Sequence, residues 1–370
     1  MNYILLTAAL LLQGLTYSYA QLTTPPEGGN KRAFVGERIA LTDVTIEYHR
    51  PGVKGRDGKI WGQLIHTGFA DLGFGTSKAA PWRAGANENT VIRFSTDVKV
   101  EGKELPAGKY GLFIAYDPNE STVIFSKNHT SWGSYFYDDK EDVLRVKVKP
   151  EATNNHVEWL KYEFTDQTDH GATVSLLWEK MRIPIRIETD YIKLQLESMR
   201  RELRGEKSFN PGWQSYVQAA NFCLNNNTNL EEGLRWADHA INGLFVGDKN
   251  FVTLSTKAQI LNKLGRTTEA HALMKEALPL GTMEQLHSYA RQLVMQQKSK
   301  EAFEVFKLNH DKHPNQFMTL VGMARGYSAI GDYKKATSFA QKALPVATDK
   351  NNKDSVEAMV KKLQEGKDIN

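Results

Sequence analysis

The chain has 370 residues, enough for two or three domains of ordinary size, and 41% of them are hydrophobic, so each half can bury a core. The formal charge is +4, with 22 basic and 23 acidic side chains in residues 1–189 and 25 and 20 in residues 190–370. Neither half has the dense basic stripe of a nucleic-acid binder, and the single cysteine, Cys223, excludes an intrachain disulfide.

The first segment reads as an address. Ile4 to Leu15 is apolar apart from Thr7, Gln13 and Gly14, too short to span a bilayer, and no second apolar stretch of spanning length follows. Ser18-Tyr19-Ala20 puts small residues where a signal peptidase reads them, which predicts a signal peptide over 1–20 and export to the periplasm or medium after cleavage near Ala20. Only the amino terminus supplies positive charge ahead of the run, and no cysteine stands at the cleavage point to carry a lipid. Residues 21–32 are rich in Pro, Gly and Thr and read as a flexible leader.

Alternating apolar residues then dominate residues 33–189. Val44, Ile46 and Tyr48 share one face, and Ile92, Phe94, Thr96, Val98 and Val100 share another. Leu144, Val146 and Val148, then Leu160, Tyr162 and Phe164, repeat the pattern, as do Val174, Leu176 and Trp178 and finally Ile183, Ile185 and Ile187. Turn signals such as Pro106-Ala107-Gly108 and Asp117-Pro118-Asn119 separate them. Short strands this frequent, with no helical pattern between them, predict an antiparallel β-sandwich. Gly52 to Asn89 is the exception: a long, Gly-rich stretch of the kind that is often functional when ordered.

Near residue 190 the period changes to that of a helix. Residues 190–210 read as a charged linking helix closed by Asn210-Pro211, and residues 211–366 as helical repeats. Ala258, Leu261, Gly265, Ala270 and Ala277 have counterparts in Ala290, Leu293, Gln297 and Ala302, and again in Ala324, Tyr327, Gly331, Ala336 and Ala343. Ala270, Ala302 and Ala336 stand 32 and 34 residues apart. This resembles the tetratricopeptide repeat, with a degenerate copy over Trp213 to Leu244 and a capping helix over Asp354 to Gln364. The fold class is therefore multidomain, an all-β sandwich followed by an all-α solenoid. Trp213, Trp236, Phe303 and Phe306 read as inter-repeat core.

No phosphate loop, nucleophile elbow, His-Glu-x-x-His pair or Cys-x-x-Cys is present, so no cofactor or metal is expected. His49, His66, His129, His156 and His170 are irregularly spaced, and Asp138, Asp139, Glu141 and Asp142 read as a solvated acidic turn. One constellation is richer. Arg50, Lys54 and Arg56 fall on a turn holding Pro51, and Trp82, Arg83, Asn87 and Glu88 follow downstream. Arginine forks suit carboxylate or phosphate and a Trp face suits a sugar ring, so these seven residues could line a pocket for an anionic or carbohydrate ligand. The other reading is structural: Arg50 and Arg56 pair with Glu88 and Asp57 to fasten a long loop, and Trp82 is core.

Tyr48-His49-Arg50-Pro51-Gly52-Val53-Lys54-Gly55-Arg56, Ile60-Trp61-Gly62, Trp82-Arg83-Ala84-Gly85-Ala86-Asn87-Glu88, Leu105-Pro106-Ala107-Gly108-Lys109-Tyr110 and Asp142-Val143-Leu144-Arg145-Val146-Lys147-Val148 resemble a bacterial exported family catalogued only as domain-of-unknown-function family 2911. The resemblance runs from about Ala33 to Glu188. It implies an exported, mostly β domain, often followed by tetratricopeptide-like repeats, and no established activity. Phe69 to Ala80 looks inserted relative to the family.

In tetratricopeptide arrays the first helix of each pair lines a concave groove. Carried over, that geometry places Gln259, Asn262, Lys263, His287, Arg291, Arg325 and Ser328 there, with Lys263, Arg291 and Arg325 suited to a peptide carboxylate. The expected function is a non-enzymatic, exported binding or scaffold protein that docks a protein or peptide partner. Two other readings are an enzyme using Glu88 as acid or base with Arg50, Arg56 and Arg83 stabilising negative charge, and a purely structural sandwich.

Overall fold

A computed structural model describes residues 29–370, so the expected signal peptide and residues 21–28 of the leader lie outside the described residues. The chain divides after Leu194 into two compact units.

The first unit is built from β1 (Lys31–Ile39), β2 (Thr42–Arg50), β3 (Thr90–Phe94), β4 (Val98–Val100), β5 (Lys103–Leu105), β6 (Gly108–Ala115), β7 (Ser121–Ser126), β8 (Asp142–Val148), β9 (Glu151–Thr168) and β10 (Gly171–Glu188). They form a six-stranded sheet, β1-β2-β3-β6-β7-β8, and a four-stranded sheet, β5-β4-β10-β9. All pairings between these strands are antiparallel. Ile46, Ile92, Leu112 and Phe125 of one sheet share a single core with Leu160, Leu176, Trp178 and Ile185 of the other, which makes a sandwich. Alternation places the faces: Thr42, Val44, Ile46 and Tyr48 are buried while Asp43 is exposed.

Three sequence expectations are redrawn. β1 begins at Lys31, with Lys31 opposite Arg50 and Arg32 opposite His49, so the leader gives way to strand two residues early. The run from Ile92 to Val100 belongs to two sheets. β3 stops at Phe94, and β4 resumes at Val98 in the opposite sheet. The alternation continues across the switch because both sheets bury the same core. Conversely, the runs at Val174–Trp178 and Ile183–Ile187 are one strand, β10, carried through register shifts around Glu179. Glu179 takes φ +55° there, and its carboxylate accepts the Gly58 N–H.

The long connection between β2 and β3 is stitched down rather than free. Gly52 bridges Trp159, Thr67 bridges Tyr116, Ala70 bridges Ala80 and Trp82 bridges Ile114. Trp61 and Trp82 pack with Trp178 at ring separations of 6.1 and 6.2 Å, so the loop contributes two of its tryptophans to the aromatic core.

The second unit holds α1 (Tyr191–Glu202, which begins before the division), α2 (Trp213–Asn225), α3 (Leu230–Asn242), α4 (Phe251–Lys263), α5 (Thr267–Ala277), α6 (Met283–Met295), α7 (Ser299–Lys312), α8 (Phe317–Ala329), α9 (Tyr333–Ala343) and α10 (Lys350–Gln364). Asn250 with Thr253 and Thr282 with Gln285 form capping boxes that start α4 and α6. Each first helix of a pair ends in the same left-handed turn. Gly265 (φ +78°), Gln297 (φ +61°) and Gly331 (φ +81°) hold it, and the next N–H returns to Leu261, Leu293 or Tyr327. Ala258, Ala290 and Ala324 on first helices, and Ala270, Ala302 and Ala336 on second helices, are fully buried, because only a methyl fits where helices approach this closely. Phe306 is core, and Phe303 packs on Tyr327 with ring centroids 4.8 Å apart. Cys223 is buried on the α2 core face, and burial pushes its thiol up to about 11.

Gly322 of α8 packs on the Phe306 ring, where an added Cβ would lie 2.8 Å from a ring carbon. Gly322→Val should therefore lower the stability of the helical unit by about 1–3 kcal/mol, measured as a lower urea midpoint, while Ser338→Ala on the exposed side of α9 should not.

Candidate functional site

The residues of the Arg-Trp constellation fall on two turns, one after β2 and one before β3, tied to each other by the His49–Glu88 contact at 3.2 Å. Arg50 Nε donates to the Leu160 carbonyl at 2.8 Å. Arg56 donates through Nε to Val53 O at 2.9 Å and through Nη2 to Gly52 O at 2.7 Å. Both cations are spent on backbone oxygens, which fasten the turn after β2. They do not pair with Glu88 and Asp57, whose partners are His49 (3.2 Å) and His156 (2.9 Å). Trp82 is buried, its indole N–H bound to Gly85 O at 3.0 Å. Lys54 stands at φ +52° with its ammonium 5.9 Å from the Trp159 ring.

Arg83, Asn87 and Glu88 do come together, on the turn before β3. Asn87 (φ +58°) accepts the Asn30 amide through Oδ1 and the Gly133 N–H through its carbonyl. Glu88 bridges Trp132, whose ring lies 5.2 Å from the Arg83 guanidinium and stacks on Tyr135 at 6.0 Å. Burial pulls Arg83 below the ordinary guanidinium range, opposed by Tyr135 and Glu88. Trp132 is 57% exposed, and Phe74 and Phe136 beside it are also open. The segment from Phe69 to Ala80 reaches this patch. Phe74 packs edge-on against Tyr135, and Ser77 N–H donates to Tyr135 O at 2.9 Å. Trp132 and Tyr135 were not singled out in the sequence, although Trp132-Gly133-Ser134-Tyr135-Phe136-Tyr137 is an unusually aromatic run.

In the helical unit the residues expected to line a groove fall into two sets. Gln259, Asn262 and Lys263 of α4 line a cleft of about 600 Å³ with Asn225 of α2 and Gln292 and Gln296 of α6. The amides share the lining with apolar side chains such as Leu224, Met274 and Leu293, and because amides both donate and accept they can read an extended backbone. His287, Arg291, Arg325 and Ser328 form the second set, on α6 and α8. Burial, then Arg325 and Arg291, push the His287 imidazole down to about 4. Burial and Arg291 also lower Arg325, with Asp368 opposing. Arg291 and Lys263 make no ion pair or hydrogen bond among the described residues. The Asp368 partner lies outside every motif noted in the sequence.

Residues 30–187 match a family described as "Protein of unknown function (DUF2911)". The matched segment covers both sheets, from the end of the leader to the last residues of β10. No curated protein matches the sequence. The helical unit is similar to YrrB, titled "a TPR protein with an unusual peptide-binding site", at 17% identity over 45% of this chain and 84% of that one, with a TM-score of 0.29. It is also similar to MamA 41-end from Desulfovibrio magneticus RS-1 (16% identity, 44% and 95% coverage, TM-score 0.27). A tetratricopeptide repeat protein from Parabacteroides merdae ATCC 43184 gives 16%, 48% and 81%, and 0.24. It is the spacing of the buried alanines, 32 and 34 residues, that makes this unit tetratricopeptide-like. Among the described residues, no helix is long and apolar enough to cross a membrane.

The His287 shift has a pH consequence. Above its ordinary value of 6.5 the ring is neutral in folded and unfolded chains alike. Between 6.5 and about 4 the unfolded chain takes up a proton that the folded chain refuses, so stability falls as pH drops through that window. His287→Gln should flatten this loss, read as the thermal midpoint of the helical unit from pH 7 to 4.5. An equal loss in both chains would refute the assignment.

Proposed function

We propose that this chain is a non-enzymatic binding scaffold of the cell envelope, and that its helical unit holds an extended acidic segment of a partner protein along α4, α6 and α8. One observation carries the reading. Arg291 and Arg325, one repeat apart on first helices, flank the suppressed His287, and no carboxylate pairs with Arg291 among the described residues. Cations gathered without a matching set of anions cost free energy, which an incoming carboxylate returns. The amide-lined cleft around Gln259 and Asn262 continues the same surface toward α2 and supplies donors and acceptors for a peptide backbone.

Export rests on the apolar run of residues 4–15 and the small residues before Gln21. On the DUF2911 domain, Arg83, Asn87 and Glu88 with Trp132 form the surface we assign to a ligand, an anion or a sugar. We favour binding over the enzymatic alternative, because Arg50 and Arg56 each hold backbone carbonyls of the turn after β2.

A surface-bound array of acidic and charge-matched basic decapeptides, probed with the full chain, tests the groove. Acidic members should be retained at low salt and released as ionic strength rises. Lys263→Glu with Arg291→Glu, both exposed and outside any internal ion pair, should weaken retention at least tenfold without shifting the unfolding midpoint. Undiminished retention by the charge-reversed chain would refute the proposal.

A further inference from the structure

The segment after α10 lies against α8. After α10 the backbone turns at Gly366 (φ +71°), where Gly366 N–H donates to Leu363 O and Lys367 N–H to Lys362 O. Asp368, Ile369 and Asn370 then lie along α8. Ser328 Oγ donates to Asp368 Oδ1 at 2.6 Å, and Ile369 N–H donates to Ser328 Oγ at 3.2 Å. Arg325 Nη1 donates to the Ile369 carbonyl at 3.1 Å. Asn370 Nδ2 donates to Arg325 O at 3.1 Å. The Ile369 side chain is 8% exposed and joins the cluster containing Leu320, Val321 and Leu363. Burial raises the Asp368 carboxyl, but the hydrogen bonds it accepts from Ser328, Asn370 and Ile369 outweigh this and hold it below the usual range.

These are the interactions a bound strand of peptide makes. A side-chain hydroxyl takes its N–H, a guanidinium takes its C=O, one aliphatic side chain is buried, and one carboxylate faces a cationic surface. Ser328 and Arg325, which make its hydrogen bonds to α8, stand seven and four residues beyond Val321 of the Ile369 cluster, on one face of the helix. The segment leaves Arg291 on α6 without a partner.

We propose that residues 368–370 are a resident occupant of the peptide groove, and that the segment the groove captures from a partner is of the same class: an Asp or Glu followed by an aliphatic residue. This rests on the peptide-groove reading above. The tether keeps the resident at an effective concentration on the order of mM, so a weakly matched peptide does not enter. A partner carrying a second carboxylate can engage both Arg325 and Arg291 and therefore displaces a resident that satisfies only the former. The device makes the groove selective without any change of fold, because the competing states differ only in which peptide lies on α8.

The test uses full-length chains and one probe, the amidated hexapeptide Glu-Gly-Lys-Asp-Ile-Asn bearing fluorescein, followed by anisotropy. Asp368→Ala with Ile369→Ala releases the resident, and the probe should then bind at least tenfold tighter than to the unaltered chain. Adding Arg325→Ala should return binding to the unaltered level. Asp368→Asn, which keeps the shape of the segment, should give a smaller rise in the same direction, and unchanged far-ultraviolet circular dichroism keeps the comparison between folded proteins. Equal binding to unaltered and released chains overturns the resident-occupant proposal while leaving the groove a peptide site. No binding to any chain overturns it too, and the peptide array then decides the groove on its own.

Discussion

A guanidinium drawn partly out of water needs oxygens around it, and in the helical unit that requirement falls on Arg325. The side chain sits on the inner face of α8, where burial and Arg291 both work against its charge. No ion pair joins it among the described residues, and it is met instead by the carbonyl of Ile369 and, at longer range, by Asp368. Buried alanines set the helix approach, the left-handed turns at Gly265, Gln297 and Gly331 set the helix ends, and the surface left over presents cations and amides in register. A surface that must borrow its counter-charge from a tethered segment is one that an outside segment can also satisfy.

The β domain uses its cations in the opposite way. Arg50 and Arg56 are bonded to carbonyls, which are cheap to leave solvated at an edge but costly to bury unmet, and the turn after β2 gains rigidity from them. Arg83 alone keeps a ligand-like setting, between the exposed Trp132 and the Tyr135 ring. The segment from Phe69 to Ala80 packs against that aromatic patch through Phe74 and Ser77.

Much of this was legible in the sequence where a period reports a face. The alternation in β2 and β8 is that of strands covered on one side, and the alanines of the repeats mark close helix approach. Helical offsets also placed Arg325 and Ser328 on one face with His287 and Arg291 one repeat before. What periodicity could not show was which sheet a strand joins. The residues Ile92 to Val100 alternate without a break although Ser95 to Asp97 carry the chain from one sheet to the other. A bulge does leave a trace: the buried set moves from even positions at Val174, Leu176 and Trp178 to odd ones at Ile183, Ile185 and Ile187, which reads in the sequence as two strands and in the structure as one strand with shifted register around Glu179. Arginine recognition of backbone carbonyls leaves no partner side chain to search for, so the sequence points Arg50 and Arg56 to Glu88, Asp57 or a ligand instead. Asp368-Ile369-Asn370 carries no period at all, and only its place beside α8 gives it meaning.

The central claim is that these residues occupy the groove in the resting protein and leave it when a partner arrives. Amide hydrogen exchange at Ile369 reads this directly, because its N–H is bound to Ser328 Oγ. The account predicts slow exchange at Ile369 in the free chain and fast exchange on addition of a saturating acidic peptide, with the α8 amides protected throughout. Exchange at Ile369 that is already fast in the free chain, or that stays slow when the peptide is bound, would contradict it.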